Sequence, residues 1–595
     1  MTVHRIRLVA ALTMLGAPVA ALSAGCKLAL LTQLPVTMDA MRPMVTVSFN
    51  GSETRLIADS GAFYSMISAP IAAQFKLRLS AAPDGLRVGG IGGETFVSAA
   101  RVHEFGLPGL KIPDIEFMVG GSEVGGGAAG VLGQNVLAWA DAEYDLAKGV
   151  IRLMRPHDCS KASLAYWESD QPYSELDIRD LSAARLLTIG TAYLNGGKIR
   201  VLFDTGAWTS MLSLQAAARA GIKPDSTGVV AAGESHGVGR GAVKTWIAPF
   251  ASFKIGQEEI RNTHLRIGDI DLEEADMLIG ADFFLSHHIY VANSQQKLYF
   301  TYNGGPVFNL STAKVPPAAS HDADAPASTA ADATQPLDAA ALARRGAAFA
   351  ARHDYEHALT DLTRACELEP AEARYLHQRS LIYLQSGQRQ PALKDIDHAL
   401  QLRPDDAESL LLRANLRLAD GKSVDANADL QAADRAAAGE ADIRLAIGDS
   451  YLGANQFAPA IAQFDLWIRN HPDDSKMPVA LNGRCWARAL WGSELEKAEK
   501  DCSAGLKLRA KSSPEYAAIL DSRGLVRLRQ GDFAKALLDY DAALATHPNI
   551  AWSLYGRGLC KLRLGKTREG NTDIAAATAV QADIADQARK YGIAP

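Results

Sequence analysis

Two short segments of the sequence place an acidic residue in the same setting. Asp59 begins Asp-Ser-Gly-Ala and Asp204 begins Asp-Thr-Gly-Ala, and each motif follows an apolar run typical of a β-strand. A single Asp-x-Gly is usually an ordinary turn, so one copy alone predicts no chemistry. Two carboxyl groups held about 3 Å apart cannot both ionise and share one proton. The ionised member can then activate a water while the protonated member donates a proton, which is general acid–base catalysis.

The two motifs belong to an internal duplication. Segment 55–68 matches segment 200–213 at an offset of 145 residues, with seven of fourteen positions identical. Two further short matches keep an offset of 147 residues: Gly90–Gly92 with Gly237–Gly239, and Val131–Gly133 with Leu278–Gly280. Three matches in register indicate that one structural unit occurs twice.

Short strands are predicted around these landmarks in both copies. Alternating apolar and polar residues predict strands at 44–49, 96–105, 198–203 and 243–253. The helical signal is thin and falls mainly at 70–75 and 214–221. We therefore expect two mostly-β lobes, over residues 36–157 and 176–305.

Together these features resemble the aspartic proteases of the pepsin and retropepsin type, in a form with two tandem lobes. The resemblance covers about residues 36–305 and depends on the duplicated Asp motifs with their glycine-rich and apolar-apolar-Gly companions. It implies peptide-bond hydrolysis in which Asp59 and Asp204 meet within one chain. It also implies a peptide or protein substrate and no metal or organic cofactor.

The same resemblance assigns roles to further residues. Ser60, Gly61, Thr205 and Gly206 would support the catalytic loops. The glycine-rich segments would be flaps over bound peptide, and their residues are Gly89, Gly90, Ile91, Gly92 and Gly93 in the first copy and Gly237, Val238 and Gly239 in the second.

One residue departs from the symmetry of the two flaps. Arg240 stands where the first flap has Gly93. Because a fold does not by itself imply catalysis, a second function stays open. In that alternative the chain is a non-catalytic periplasmic scaffold that binds peptides with a protease-like fold.

The C-terminal part of the chain has a different period. Small residues recur every 34 positions at Gly346, Ser380, Ala414 and Gly448, and again at Ala358, Ala392, Ala426 and Ala460. This pattern resembles the tetratricopeptide repeat (TPR), an all-α helix–turn–helix unit that stacks into a solenoid. We expect about seven repeats over residues 338–583 and a polar capping helix at 584–595. The resemblance implies a protein partner on the concave face.

The segment between the two halves, 306–337, is rich in Ala, Pro, Asp, Ser and Thr. This composition cannot bury a core and predicts a disordered linker. We therefore expect the two halves to fold independently of one another.

The N-terminus predicts export. Basic residues at positions 4–7, an apolar run at 8–22 and small residues at 23–25 form a signal peptide over residues 1–25, as in an exported bacterial protein. The mature protein would be periplasmic or secreted. Cys26 directly follows, so it is either acylated as in a lipoprotein or free to pair with Cys159 beyond the first lobe.

The remaining composition excludes some partners and leaves one pairing open. A net charge of -6 from 61 basic and 67 acidic residues gives no reason to expect nucleic acid as a partner. Membrane contact is expected only if Cys26 is lipidated.

Cys485 and Cys502 fall on two helices of one predicted hairpin and either pair or simply pack.

Overall fold

A computed structural model describes the chain from Cys26 to Ala594 with gaps. The described residues are 26–82, 87–90, 93–120, 127–167, 173–178, 187–236, 242–272, 274–308, 310, 337–439, 441–472, 474, 476–509, 511 and 513–594. The predicted signal peptide and most of the predicted linker lie outside these ranges. Among the described helices, none is both long and apolar enough to cross a membrane.

The first lobe consists of short and medium strands with two brief helices. Its elements are β1 Lys27–Asp39, β2 Arg42–Phe49, β3 Ser52–Ala58, β4 Met66–Ile67, α1 Ala69–Gln74, β5 Leu79–Ala81, β6 Arg87–Gly90, β7 Gly93–Leu107, β8 Leu110–Gly120, β9 Gly130–Leu132, α2 Gln134–Leu137, β10 Asp141–Asp145 and β11 Val150–His157. Alternation of buried and exposed residues along β1 and β2 matches a sheet with one face in the core.

The second lobe repeats this plan. Its elements are β12 Ser174–Asp177, β13 Ile189–Leu194, β14 Gly197–Phe203, β15 Met211–Ser213, α3 Leu214–Arg219, β16 Val230–His236, β17 Ala242–Ile255, β18 Glu258–Gly268, β19 Met277–Ile279, α4 Ala281–Ser286, β20 His287–Ala292 and β21 Lys297–Tyr302. The order β14-β19-β15-β18-β17-β16 has its equivalent in β3-β9-β4-β8-β7-β6 of the first lobe. The duplicated sequence therefore folds into duplicated sheets.

A shared antiparallel sheet joins the lobes. Its order is β12-β21-β20-β10-β11-β1, so strands of the second lobe continue the sheet of the first. The junction is the pairing of β10 with β20, in which Glu143 lies opposite Tyr290. Because backbone hydrogen bonds cross this junction, the two lobes are held face to face.

Two disulfides are present in the structure. Cys26 and Cys159 are bonded, with 4.5 Å between their Cα atoms, and this bond closes the first lobe at both ends. Cys485 and Cys502 are also bonded, with a Cα–Cα separation of 5.7 Å.

The C-terminal half is an array of fifteen described helices. They are α5 Ala339–Ala351, α6 Tyr355–Leu368, α7 Ala373–Gln385, α8 Arg389–Leu402, α9 Ala407–Ala419, α10 Ser423–Ala436, α11 Ile443–Gly453, α12 Phe457–Asn470, α13 Met477–Trp491, α14 Leu495–Lys507, α15 Pro514–Gln530, α16 Phe533–Thr546, α17 Ala551–Arg563, α18 Thr567–Val580 and α19 Ile584–Lys590. Small residues let paired helices approach closely, since a Cβ on Gly346 would lie 3.1 Å from the Ala358 carbonyl oxygen.

Six repeats share an ion pair that the periodicity of small residues did not reveal. An arginine on the first helix bonds a largely buried aspartate on the second, as Arg345 does to Asp361 at 2.6 Å. The equivalent pairs are Arg379–Asp395, Arg413–Asp429, Arg484–Asp501, Arg523–Asp539 and Arg557–Asp573. These bonds fix the two helices of each repeat relative to one another.

The array packs directly on the protease-like half. Ala348 of α5 is buried in the same apolar core as the strands of both lobes. Arg352 of α5 donates to the carbonyl oxygens of Leu285, at 3.4 Å, and Gly304, at 3.0 Å. The expectation that the two halves fold independently was based on the composition of the linker alone. Helix α5, and not the linker, makes the contact between the halves, so they are packed together.

Candidate active site

Strand pairing places both aspartates at the same point of their lobes. β3 runs parallel to β9, and the N–H of Asp59 donates to the carbonyl oxygen of Leu132 at 2.9 Å. β14 runs parallel to β19, and the N–H of Asp204 donates to the carbonyl oxygen of Ile279 at 2.8 Å. Each aspartate therefore begins a loop just as its strand ends, with its backbone still held by the neighbouring strand.

Each loop then turns its backbone N–H groups onto its own carboxylate. Gly61 and Ala62 donate to Oδ1 of Asp59 at 2.9 and 2.8 Å. In the second lobe, the N–H groups of Gly206 and Ala207 donate to Oδ1 of Asp204 at 2.9 and 3.1 Å. These bonds fix the orientation of each carboxyl plane.

The hydroxyl residues of the motifs cross between the lobes. The N–H of Ser60 donates to Oγ1 of Thr205 at 2.9 Å, and the N–H of Thr205 donates to Oγ of Ser60 at 3.0 Å. The Thr205 hydroxyl also donates to the carbonyl oxygen of Ala58, and the Ser60 hydroxyl to that of Phe203. Both side chains are buried, so these four bonds are shielded from water and lock the two loops together.

The two carboxyl groups meet at the interface between the lobes, each against the glycine of the opposite loop. Both remain partly exposed, so water can reach them. Burial and the negative charge of Asp204 raise the pKa of Asp59 well above its usual value. Burial also raises the pKa of Asp204, although its interaction with Asp59 and hydrogen bonds from backbone N–H groups oppose this. The two carboxyl groups therefore share one proton.

The glycines of the motifs are required by the opposite carboxylate. A Cβ atom on Gly61 would lie 2.2 Å from Cγ of Asp204, and one on Gly206 would lie 2.2 Å from Cγ of Asp59. Neither glycine has a left-handed backbone. Close approach across the interface, rather than a special turn, excludes any side chain here.

One further pair of side chains in each lobe, which the sequence patterns did not identify, supports the catalytic loops. In the first lobe the Ser65 hydroxyl donates to Asn135 Oδ1 at 2.8 Å. In the second lobe the Ser210 hydroxyl donates to Asp282 Oδ1 at 2.7 Å. Asn135 and Asp282 each stand two residues after the apolar-apolar-Gly step, so the duplication offset could have identified them.

The predicted flaps are only partly within the described residues. Gly89 and Gly90 end β6, and Gly90 pairs with Gly93 at the start of β7, which forms a hairpin. Ile91 and Gly92 lie outside the described residues, as do Gly237, Val238, Gly239 and Arg240. The strands that flank the second segment, β16 and β17, pair as the equivalent hairpin.

The interiors of the two lobes differ at one equivalent position. Ile67 pairs with Val119 in the first lobe and Leu212 with Ile267 in the second, so Met118 and Arg266 precede these pairs at equivalent positions. Met118 lies in an apolar cluster with Val88 and Val97. Arg266 instead donates to the Thr245 hydroxyl at 3.1 Å, and its guanidinium carbon lies 5.7 Å from the ring centroid of Trp208, in the catalytic loop. Both side chains are buried, so this difference lies inside the lobes.

The comparison with protein families agrees with this duplicated geometry. A family model described as aspartyl protease matches the chain twice, at residues 45–136 and 190–283. Each of the two lobes matches this family over most of its length. No curated protein matches the chain.

Solved structures similar to the chain are helical repeat proteins. A TPR protein from Parabacteroides merdae ATCC 43184 is 18% identical, with 42% of this chain and 96% of that chain covered and a TM-score of 0.34. The Cut9–Hcn1 hetero-tetramer of APC/C is 13% identical, with 42% and 48% covered and a TM-score of 0.32. The C-terminal part of a TPR-containing protein from Cytophaga hutchinsonii is 14% identical, with 37% and 87% covered and a TM-score of 0.30. The TPR-like solenoid that follows the two lobes is defined by its own helix pairs.

Proposed function

We propose that the chain is an aspartic endopeptidase that hydrolyses peptide bonds with the pair Asp59 and Asp204. The observation that carries this proposal is the meeting of the two carboxyl groups, both partly exposed, at the interface between two lobes of one chain. A pair used only to hold the lobes together would have no need of access to solvent.

The shared proton leaves one carboxyl group of the pair ionised and the other protonated. The ionised group removes a proton from a water as that water attacks the peptide carbonyl carbon. The protonated group donates its proton to the carbonyl oxygen, which gives a neutral tetrahedral intermediate. When the intermediate collapses, the first group passes its proton to the leaving nitrogen, and the second group takes a proton from a hydroxyl of the intermediate. The loop N–H groups keep both carboxyl planes fixed throughout.

The TPR-like array would recruit a protein substrate or partner on its concave face, and its packing against the lobes through Ala348 keeps it beside them.

We further propose that the protein acts after export, in the periplasm or outside the cell. The two disulfides support an oxidising compartment. A Cys26 thiol engaged with Cys159 cannot carry a lipid, which favours a soluble exported form over a lipoprotein.

The test compares cleavage of casein and of a peptide library by the wild type, Asp59→Asn and Asp204→Asn. Each substitution should remove nearly all cleavage, while the control Asp114→Asn, at an exposed hairpin position, should leave it unchanged. Mixing the two inactive variants should restore nothing, because both aspartates of a site come from one chain. Peptide binding without cleavage by the wild type would support the non-catalytic scaffold, and recovered activity on mixing would place the site between chains.

A further inference from the structure

The C-terminal segment of the chain is more than a polar cap. Ile584 and Ala588 of α19 and Ile593 beyond it are buried in the core of the last repeats. The polar cap expected from the sequence is therefore an amphipathic segment with a buried face. The surface that this buried face covers indicates a further role of the segment.

The segment returns from the last repeat toward earlier ones. The first helices of successive repeats, α11, α13, α15 and α17, contact one another, and we name the surface that they form the inner face. α19 itself contacts α17 and α18 of the last repeat. The residues after it belong to an apolar cluster that extends to Trp486 of α13 and Leu452 of α11. A helix that only shielded the end of the solenoid would stop at the last repeat.

Tyr591 is the anchor of this arrangement. Its hydroxyl donates to Oδ1 of Asn455 at 2.6 Å, although the two residues are 136 positions apart. Its ring centroid lies 5.9 Å from that of Phe457 and 6.3 Å from that of Trp552. The side chain thus spans the inner face from the fourth helix pair to the seventh and has a polar partner at its tip.

Two arginines contact the main chain of the segment. Arg529 of α15 donates to the carbonyl oxygen of Tyr591, and also to that of Leu490 at 3.1 Å. Arg563 of α17 donates to the carbonyl oxygen of Ala594 at 3.5 Å. Because these arginines bind backbone carbonyl oxygens, they can also bind a peptide of another protein whose side chains fit the inner face.

We propose that the inner face of α11, α13, α15 and α17 is a peptide-binding groove whose resting occupant is the chain's own C-terminal segment. Its partner is a segment of another protein that carries a tyrosine and, two residues later, an aliphatic side chain. This partner displaces Tyr591 and Ile593 and uses the same Asn455, Arg529 and Arg563 contacts. The inference specifies the proposed partner-binding role of the array and does not depend on proteolysis.

The test measures binding of a fluorescein-labelled peptide with the sequence of residues 587–595. The full chain and a chain ending at residue 583 are compared by fluorescence anisotropy. The truncated chain should bind at least about tenfold more tightly, because in the full chain the tethered segment competes at a high effective concentration. The peptide with Tyr591→Ala should lose this binding, and Asn455→Ala in the truncated chain should weaken it.

A second variant keeps α19 packed on the last repeat and removes only the two side chains that occupy the groove. Full chain with Tyr591→Ala and Ile593→Ala retains Ile584 and Ala588, and circular dichroism and cooperative unfolding verify that the array is intact. It should also bind the peptide more tightly than the wild type. Equal affinity of all folded chains, or no binding to any of them, would show that the segment is only a structural cap. Concentration-dependent dimers formed by exchange of this segment would instead identify a second copy as the occupant and overturn the proposal.

The assay distinguishes this inference from the proposed protease activity. It reads binding alone and is repeated with Asp59→Asn, which should leave peptide affinity unchanged. Loss of casein cleavage with intact tail competition would affect only the protease proposal. Intact cleavage without tail competition would overturn only the groove.

Discussion

Nε2 of His288, on the first strand after α4, lies 2.8 Å from Oε1 of Glu143, on the strand of the other lobe that pairs with it. Arg152 also contacts this Glu143 oxygen, at 2.7 Å, and the Tyr166 hydroxyl donates to the other. The histidine, the arginine and the tyrosine together lower the pKa of Glu143 despite its burial. The junction between the lobes is therefore a buried charged cluster as well as a backbone sheet.

Removing the Glu143 charge should destabilise the protein. We expect Glu143→Gln to lower the free energy of unfolding by about 1.5–3 kcal/mol, because the partly exposed Arg152 and the buried His288 lose their bonds to a carboxylate. Urea unfolding at neutral pH measures the loss. The control is Glu116→Gln, whose exposed pair with Arg101 should contribute no more than about 1 kcal/mol. Equal effects of the two substitutions would show that the cluster does not hold the lobes together.

The raised pKa of Asp59 predicts two dependences on pH. Cleavage should be best in mild acid and should fall as the pH rises through this pKa, because the pair then loses its shared proton. The free energy of unfolding should also fall as the pH rises, since a carboxyl group whose pKa is raised by folding binds its proton more tightly in the folded chain. Its contribution is therefore lost as the pH rises from about 4, the pKa of an unfolded aspartate.

Asp59→Asn separates these effects. The variant should be inactive at every pH, and its advantage in unfolding free energy over the wild type should grow from pH 5 to pH 8. Chemical unfolding at several pH values provides the measurement. A constant difference across this range would mean that the Asp59 pKa is not raised in the folded protein.

Gly61 cannot accept a side chain without moving Asp204. We expect Gly61→Ala to reduce kcat by about 100-fold or more, because its Cβ would displace the opposite carboxyl group by an ångström or more. Gly206→Ala should do the same through Asp59. Gly439→Ala is the matched control, since a Cβ there meets nothing within 4 Å. Initial rates of cleavage of one peptide at saturating concentration measure kcat. Full activity of Gly61→Ala would contradict the position of the Asp204 carboxyl group.

Much of the architecture could be read from local patterns in the sequence. The two Asp motifs, their offset and the alternation of strands predicted two β lobes with one site, and the recurrence of small residues such as Gly346 and Ser380 predicted the helical array. These features are determined by neighbours a few residues apart, through strand and helix periodicity and the steric demands of close helix pairs. A sequence displays such short-range constraints directly.

Tertiary structure decided the features that depend on residues far apart in the chain. The raised pKa of Asp59, the close approach of Gly61 to Asp204, the difference between Met118 and Arg266, and the return of Tyr591 to Asn455 all involve groups brought together from distant positions. The packing of α5 on the lobes belongs to the same class. Burial and electrostatic interaction depend on distances in space. The duplicated sequence predicts two similar loops, but it does not predict which atoms of one loop contact the other.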